Sequence, residues 1–307
     1  MNANNSKNLI YFFLLLLLFS CNSSIQLENL IDEVEVIRDE FGINHIYANN
    51  QEDLFFMQGY LAAKDRLFQF EIWRRQATGT VSEVFGKEEL ERDIGTRLFK
   101  FRGNIVDELN HYHDDGFEII NSYVKGVNAY INEINLNSEG LPIEFKLLGI
   151  KPKLWTPEVV ISRHQGLLGN IEEELNIGRA VSLIGEDKVN ELVWFHPKKP
   201  LIKLDKSITN NDLKKDILKL YKAYRKPLKF NSKHIKEIYR TNDDKKTSFN
   251  HFNNKINVEK YSLGSNNWAI SGEKSFNGYP ILANDPHRSI AAPSLRYLTH
   301  LVSPNWN

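Results

Sequence analysis

The sequence predicts an α+β chain, mostly helical, with strands near its start and near its end. Three observations carry this. Val34-Glu35-Val36 alternates, and a second apolar stretch at 43–48 comes after the turn-like Asp39-Glu40-Phe41-Gly42, which is the pattern of a hairpin. From Gln51 the apolar spacing changes to a helical period. Near the C-terminus, Trp268-Ala269-Ile270 and Ile281-Leu282-Ala283 read as strands on either side of Asn277-Gly278.

Residues 1–20 come before any of these elements. A polar start with one lysine leads into an apolar run at 9–20 that includes five consecutive leucines. Twelve residues are too few to span a bilayer as a helix, which takes about 20. The length suits the apolar core of a signal peptide. Leu18-Phe19-Ser20-Cys21 comes next, and Cys21 is the only cysteine in the chain. This stretch resembles the lipobox of bacterial lipoproteins, in which the cysteine is lipidated and becomes the first residue. The expectation is an exported protein, lipid-anchored at the cell envelope on its periplasmic or outer side, with 21–29 as a tether. The alternative is a plain secretory signal with an incidental cysteine. A single cysteine also excludes an internal disulfide.

Within the predicted helical domain, 30–228, Leu54, Met57, Leu61, Phe68 and Ile72 fall on one helical face, with Lys64, Arg66, Arg74 and Arg75 elsewhere. Asp65, Arg66, Arg74, Arg75 and Asp93 are expected to form an ion-pair network. Gly79 and Gly86 break the next stretch, through about Arg102, into shorter helices. Further helices are predicted at 117–134, 159–168, 172–184 and 212–224, with loops at Leu141-Pro142 and Lys151-Pro152. Residues 229–264 are rich in Lys, Asn and Asp and poor in apolar side chains, which is the composition of a linker or surface loop.

The tail from 265 is predicted to be a hairpin. If Asn277-Gly278 is a two-residue turn, Phe276 faces Tyr279 and His287 lies opposite Trp268. Ser265 is then three residues from that pair, and a bend at Pro286 is needed to bring His287 toward it.

Lys+Arg and Asp+Glu are equal at 39 each, so the chain is formally neutral. Neutrality provides no electrostatic case for binding nucleic acid or an anionic membrane surface. No period of 20–50 residues is present, which argues against a solenoid or propeller.

Ser265-Asn266-Asn267-Trp268, with Ala283-Asn284-Asp285-Pro286-His287 after it, resembles the start of the β-chain in the penicillin acylase family of N-terminal nucleophile hydrolases. Upstream, Ile37-Arg38-Asp39 with Gly42-Ile43-Asn44-His45-Ile46 resembles the family's first hairpin. Asp65-Arg66-Leu67, Arg74-Arg75, Gly126-Val127-Asn128-Ala129, Leu141-Pro142-Ile143-Glu144-Phe145 and Trp155-Thr156-Pro157 resemble later α-chain signatures. The motifs run in order from about Val34 to His300.

The resemblance implies an αββα sandwich in the full enzyme. It also implies a single precursor that cuts itself before its nucleophile and releases a spacer. Gly264-Ser265 would be the cleaved bond, 229–264 the spacer and 265–307 the start of the β-chain. The plainer alternative is an ordinary loop before a hairpin. Ser265 would be the catalytic nucleophile, with its freed α-amine as base. His287 would orient both, at a position where the family also has glutamine. Arg288 would line the acyl pocket; it departs from the usual apolar residue and either favours a polar acyl group or turns to solvent.

Calcium is the implied structural ion, with no organic cofactor. Glu174 is its candidate ligand, against the alternative that Glu172-Glu173-Glu174 is a solvated helix start. The partners implied are an N-acyl amide substrate and a longer β-chain, which would carry the oxyanion donors and most calcium ligands. Alone, this chain is expected to be inactive. Penicillin side chains and acyl-homoserine lactones are not distinguished as substrates. The reading from a different class is a non-catalytic surface lipoprotein, or a vestigial fragment, that keeps the helical domain for binding.

Overall fold

The computed structural model describes residues 25–163, 171–240, 265–286 and 292–306. Residues 25–31 belong to a unit of their own and contain a turn but no helix or strand. The rest belongs to a second unit.

That unit opens with the predicted hairpin. β1 (Glu35–Arg38) and β2 (Asn44–Tyr47) pair antiparallel, with Glu35 opposite Tyr47 and Arg38 opposite Asn44. Asp39 organises the turn: its carboxylate accepts the backbone N–H groups of Phe41 and Ile43. α1 (Gln51–Thr78) comes next, capped at its start by the Asn50 side chain and closed by Gly79 in the left-handed region at φ 65°. The short helices α2 (Ser82–Phe85), α3 (Leu90–Phe99) and α4 (Ile105–Tyr112) lead to the long α5 (Gly116–Leu136). Then come α6 (Ile143–Leu148), α7 (Pro157–Arg163), α8 (Ile171–Ile184), α9 (Glu186–Leu192), α10 (Asn210–Lys214) and α11 (Lys219–Arg225). β3 (Ser265–Ile270) and β4 (Ile281–Pro286) form a two-stranded sheet, and β5 (Thr299–Val302) lies parallel to β2.

α1 and α5 form the centre of the core. They approach so closely that a Cβ added to Gly59 would sit 2.0 Å from the carbonyl oxygen of Tyr123, and one added to Gly126 would sit 1.8 Å from that of Phe56. The two glycines are reciprocal notches, one on each helix. Tyr60 reaches across this contact, donating to Glu133 at 2.7 Å and meeting the Tyr130 ring edge-on. Asn128 on α5 exchanges two hydrogen bonds with the backbone of Trp155, so two motifs 27 residues apart meet.

Several expectations are revised. α1 is not apolar on one face only: Phe55, Phe56 and Ala62 are buried beside Leu54, Met57 and Leu61, while Phe68 is half-buried. The cause is its central place, with α5, α7 and the strands β2 and β5 all packed against it. Arg74 and Arg75 are buried around Glu71, and Glu71 also accepts the N–H of Lys153. Asp93 joins no ion pair in that network. It accepts the backbone N–H groups of Val81 and Ser82 and the Ser82 hydroxyl, capping the start of α2. The helix predicted at 212–224 is two helices. Arg179 donates to the carbonyls of Leu213 and Lys215, acceptors that a continuous helix would have used itself. Of the helix predicted at 159–168, the part beyond Arg163 lies outside the described residues.

Candidate active site

Ser265 is the first residue of β3 and is exposed. It pairs with Pro286 of β4; Asn266 pairs with Asp285, Asn267 with Asn284, Trp268 with Ala283, Ala269 with Leu282 and Ile270 with Ile281. Strand alternation puts Ser265, Asn267 and Asn284 on one face and Trp268 on the other. The surface beside the serine is therefore amide-rich.

This register differs by four residues from the one that a two-residue Asn277-Gly278 turn demands. Trp268 faces Ala283, not position 287. Two local features explain the shift. Pro280 has no N–H with which to extend the ladder. The Asn277 side chain accepts the N–H of Tyr279 at 3.1 Å, and Ser275 donates its hydroxyl to the Tyr279 carbonyl at 2.6 Å. The connection becomes a ten-residue loop, 271–280, with a 3₁₀ turn at Gly272–Lys274. The observed register sets Pro286 opposite Ser265. His287 and Arg288 themselves lie outside the described residues, as do Gly264 and Cys21.

Glu174 lies exposed in the first turn of α8. Among the described residues, no group of three or more His, Cys, Asp or Glu side chains could hold a metal ion. One carboxylate falls far short of the six to eight oxygens that calcium takes. No helix among the described residues is long and apolar enough to cross a membrane.

A second cluster joins sequence on both sides of Gly264-Ser265. Both carboxylate oxygens of Asp65 accept from Arg38, at 2.7 and 2.6 Å, and one also accepts the Tyr297 hydroxyl at 2.8 Å. The Asn44 amide donates to the Tyr297 oxygen at 2.7 Å. Burial and the neighbouring Asp65 push the Tyr297 hydroxyl above its ordinary pKa, so it stays protonated and able to donate. Arg66, at a break in α1 (φ −134°, ψ 26°), donates to the Ser294 carbonyl. Next along the same seam, β2 pairs with β5, with His45 opposite His300 and their Nδ1 atoms 3.0 Å apart. Trp306 donates to Gln51 and meets the Phe55 ring edge-on at 5.1 Å. The sequence motifs include Arg38, Asn44 and Asp65 but not their partner Tyr297, 232 residues from Asp65. Only the tyrosine's hydroxyl marked it, and no local pattern points across that distance.

A profile of the family described as penicillin amidase matches residues 33–307. The chain is 29% identical over 284 residues to the penicillin acylase 2 proenzyme of Pseudomonas sp. (strain SE83), covering 92% of this chain and 33% of that protein. It is 38% identical over 139 residues to penicillin G acylase of Escherichia coli, covering 45% of this chain and 16% of that protein. It is 25% identical over 288 residues to the acyl-homoserine lactone acylase QuiP of Pseudomonas aeruginosa, covering 91% and 30%. A solved thermostable penicillin G acylase from Alcaligenes faecalis aligns with TM-score 0.47 and 26% identity, covering 57% of this chain and 98% of that one. The chain spans about a third or less of the length of the curated relatives it matches. With its α+β architecture and a profile match over nearly its whole length, the chain belongs to the penicillin amidase family.

Proposed function

We propose that this chain is the N-terminal part of an acylase precursor that hydrolyses N-acyl amides through Ser265. The observation that carries the reading is the placement of Ser265 at the start of an exposed strand, in a chain whose family profile runs through it. In maturation, Oγ of Ser265 attacks the Gly264 carbonyl carbon. The Gly264–Ser265 C–N bond breaks, its nitrogen becomes the free α-amine, and water hydrolyses the resulting ester. In turnover, the same hydroxyl passes its proton to that amine and attacks the substrate carbonyl. The leaving amine takes the proton, and water releases the acid. An α-amine has a reference pKa of about 7.7–8.0, a useful value for a base at ambient pH.

In this reading His287 would orient the pair, and Arg288 would occupy the position that lines the acyl pocket. Glu174 would contribute one oxygen to a structural calcium, whose other donors would have to come from sequence that this chain does not span. The oxyanion donors come from sequence matching the part of the relatives that this chain does not span. Such donors are typically worth several kcal/mol. Cys21 carries the lipid that holds the enzyme at the envelope after export. The acyl group is left open between those of penicillins and of acyl-homoserine lactones, since relatives of both names match.

The test is a Ser265→Ala variant expressed from the natural locus with its downstream sequence. Wild type is expected to yield a chain beginning at Ser265 and to release amine from an N-acyl amide. The variant is expected to remain one polypeptide with no activity. Cleavage that persists in the variant would overturn the assignment.

A further inference from the structure

The composition of 229–264 marks the whole stretch as spacer, yet its first twelve residues, 229–240, are built into the helical domain. Phe230, itself about half exposed, meets Phe85 edge-on at 5.2 Å and lies tilted against Phe68 at 6.1 Å, and His234 meets Phe85 edge-on at 5.0 Å. Just upstream, Leu228 packs on the buried cluster of Ile72, Val81 and Phe85. The backbone is engaged as well. Buried Arg92 donates to the carbonyls of Tyr224, Lys226 and Pro227. The N–H of Lys236 donates to the Leu147 carbonyl at 2.7 Å. Arg240 folds back to donate to the carbonyls of Lys233 and Ile235, and Lys233 pairs with Glu88. Lys236 also runs directly over Gly149, where an added Cβ would lie 2.0 Å from its Cε.

We propose that residues 226–240 are a permanent strap of the helical domain and that the removable spacer begins after Arg240. The proposal rests on the processing reading above and locates its second cut, which that reading leaves open. A peptidase needs several residues of free, extended backbone in its cleft. Between Lys226 and Arg240 such a stretch exists only after the contacts to Arg92, Leu147, Phe85 and Glu88 are broken. The second cut is a hydrolysis: water adds hydroxyl to the carbonyl carbon while the C–N bond breaks, and its proton goes to the departing amine. The mature helical chain therefore keeps Phe230, His234 and Arg240 and ends between Arg240 and Gly264.

Protein purified from the natural locus settles this by intact mass of both chains and N-terminal sequencing of the second. A second chain starting at Ser265, with a first chain ending at or after Arg240, is the expected result. A first chain ending before Arg240 overturns the strap, even though the second still starts at Ser265. No cut at Ser265 overturns the processing reading instead, and thermolysin pulses on the uncut protein then test the strap separately, with protection of 226–240 expected. In Phe230→Ala the first chain is expected to become ragged, with ends upstream of Arg240 and an unchanged Ser265 terminus. An unaltered end in that variant would show that the strap's contacts do not set the boundary.

Discussion

Asp65 is exposed for a carboxylate with so many partners, accepting from Arg38, Asn44 and Tyr297 at once. Surface ion pairs are usually worth less than about 1 kcal/mol, so the Arg38 contact alone would contribute little. Tyr297 is the stronger element, because its hydroxyl both donates to the carboxylate and accepts from Asn44. Tyr297→Phe removes both bonds without changing shape and leaves the almost fully buried Asn44 amide with only its longer bond to Asp65, at 3.4 Å. The expected cost is about 1–3 kcal/mol in urea unfolding. A loss no larger than that of Arg38→Ala would show that the hydroxyl is not the centre of the cluster. Asp39 gives a pH signature at the same scale. The backbone N–H of Ile43, foremost, holds its carboxyl below the ordinary value of 3.8. A depressed folded-state pKa stabilises above 3.8, and that contribution is lost as pH falls through the folded value. Acid unfolding of Asp39→Asn should therefore depend less steeply on pH below about 4 than that of wild type.

At the scale of elements, the α1–α5 crossing is the least forgiving point. A methyl group at Gly126 meets a backbone carbonyl on the facing helix, which no side-chain rotation relieves. Gly126→Ala is expected to cost at least about 3 kcal/mol, read as a lowered urea midpoint. Gly126 stood in a recognisable motif, but its reason, the Phe56 carbonyl on α1, was not visible in the motif. What sequence made legible were local devices: the β1–β2 hairpin, the ends of α5, and the break at Gly79. What it missed depends on distant partners. Arg179 splits α10 from α11 through the carbonyls of Leu213 and Lys215, and β5 exists because β2 offers it an edge. The β3–β4 register failed for a local reason, since Asn277 spends its side chain on Tyr279. Composition likewise hid the strap, whose contacts are three aromatic pairs together with the backbone bonds to Arg92 and Leu147. His234 makes that strap sensitive to pH. Burial, then Lys233, lowers its pKa below 6.5, and its Nδ1 accepts the Asn231 N–H, which only the neutral ring can do. Glu88 and Glu89 oppose the shift without reversing it. The neutral form's contribution is complete above 6.5 and is lost as pH falls through the folded value. Hydrogen-exchange protection of 229–240 should drop between about pH 7 and pH 5 in wild type and stay level in His234→Phe.

For the whole molecule, the consequence of cutting between Gly264 and Ser265 depends on what crosses that point. The β2–β5 ladder, the Trp306–Gln51 bond, the Phe55–Trp306 contact and the Thr299 hydroxyl donating to the Asn44 carbonyl all join earlier sequence to later sequence. None of these four is an ion pair. At 1 M salt the screening length is about 3 Å, which removes most of the worth of exposed ion pairs but leaves backbone bonds and apolar contacts intact. Processed protein should therefore elute as one species in gel filtration at both low salt and about 1 M salt, and separate into two chains only in denaturant. Dissociation at high salt would mean that charge pairs hold the chains together and that the β2–β5 seam is too weak to do so. Retention at high salt combined with separation of a Trp306→Ala variant would assign the hold to the aromatic end of the seam.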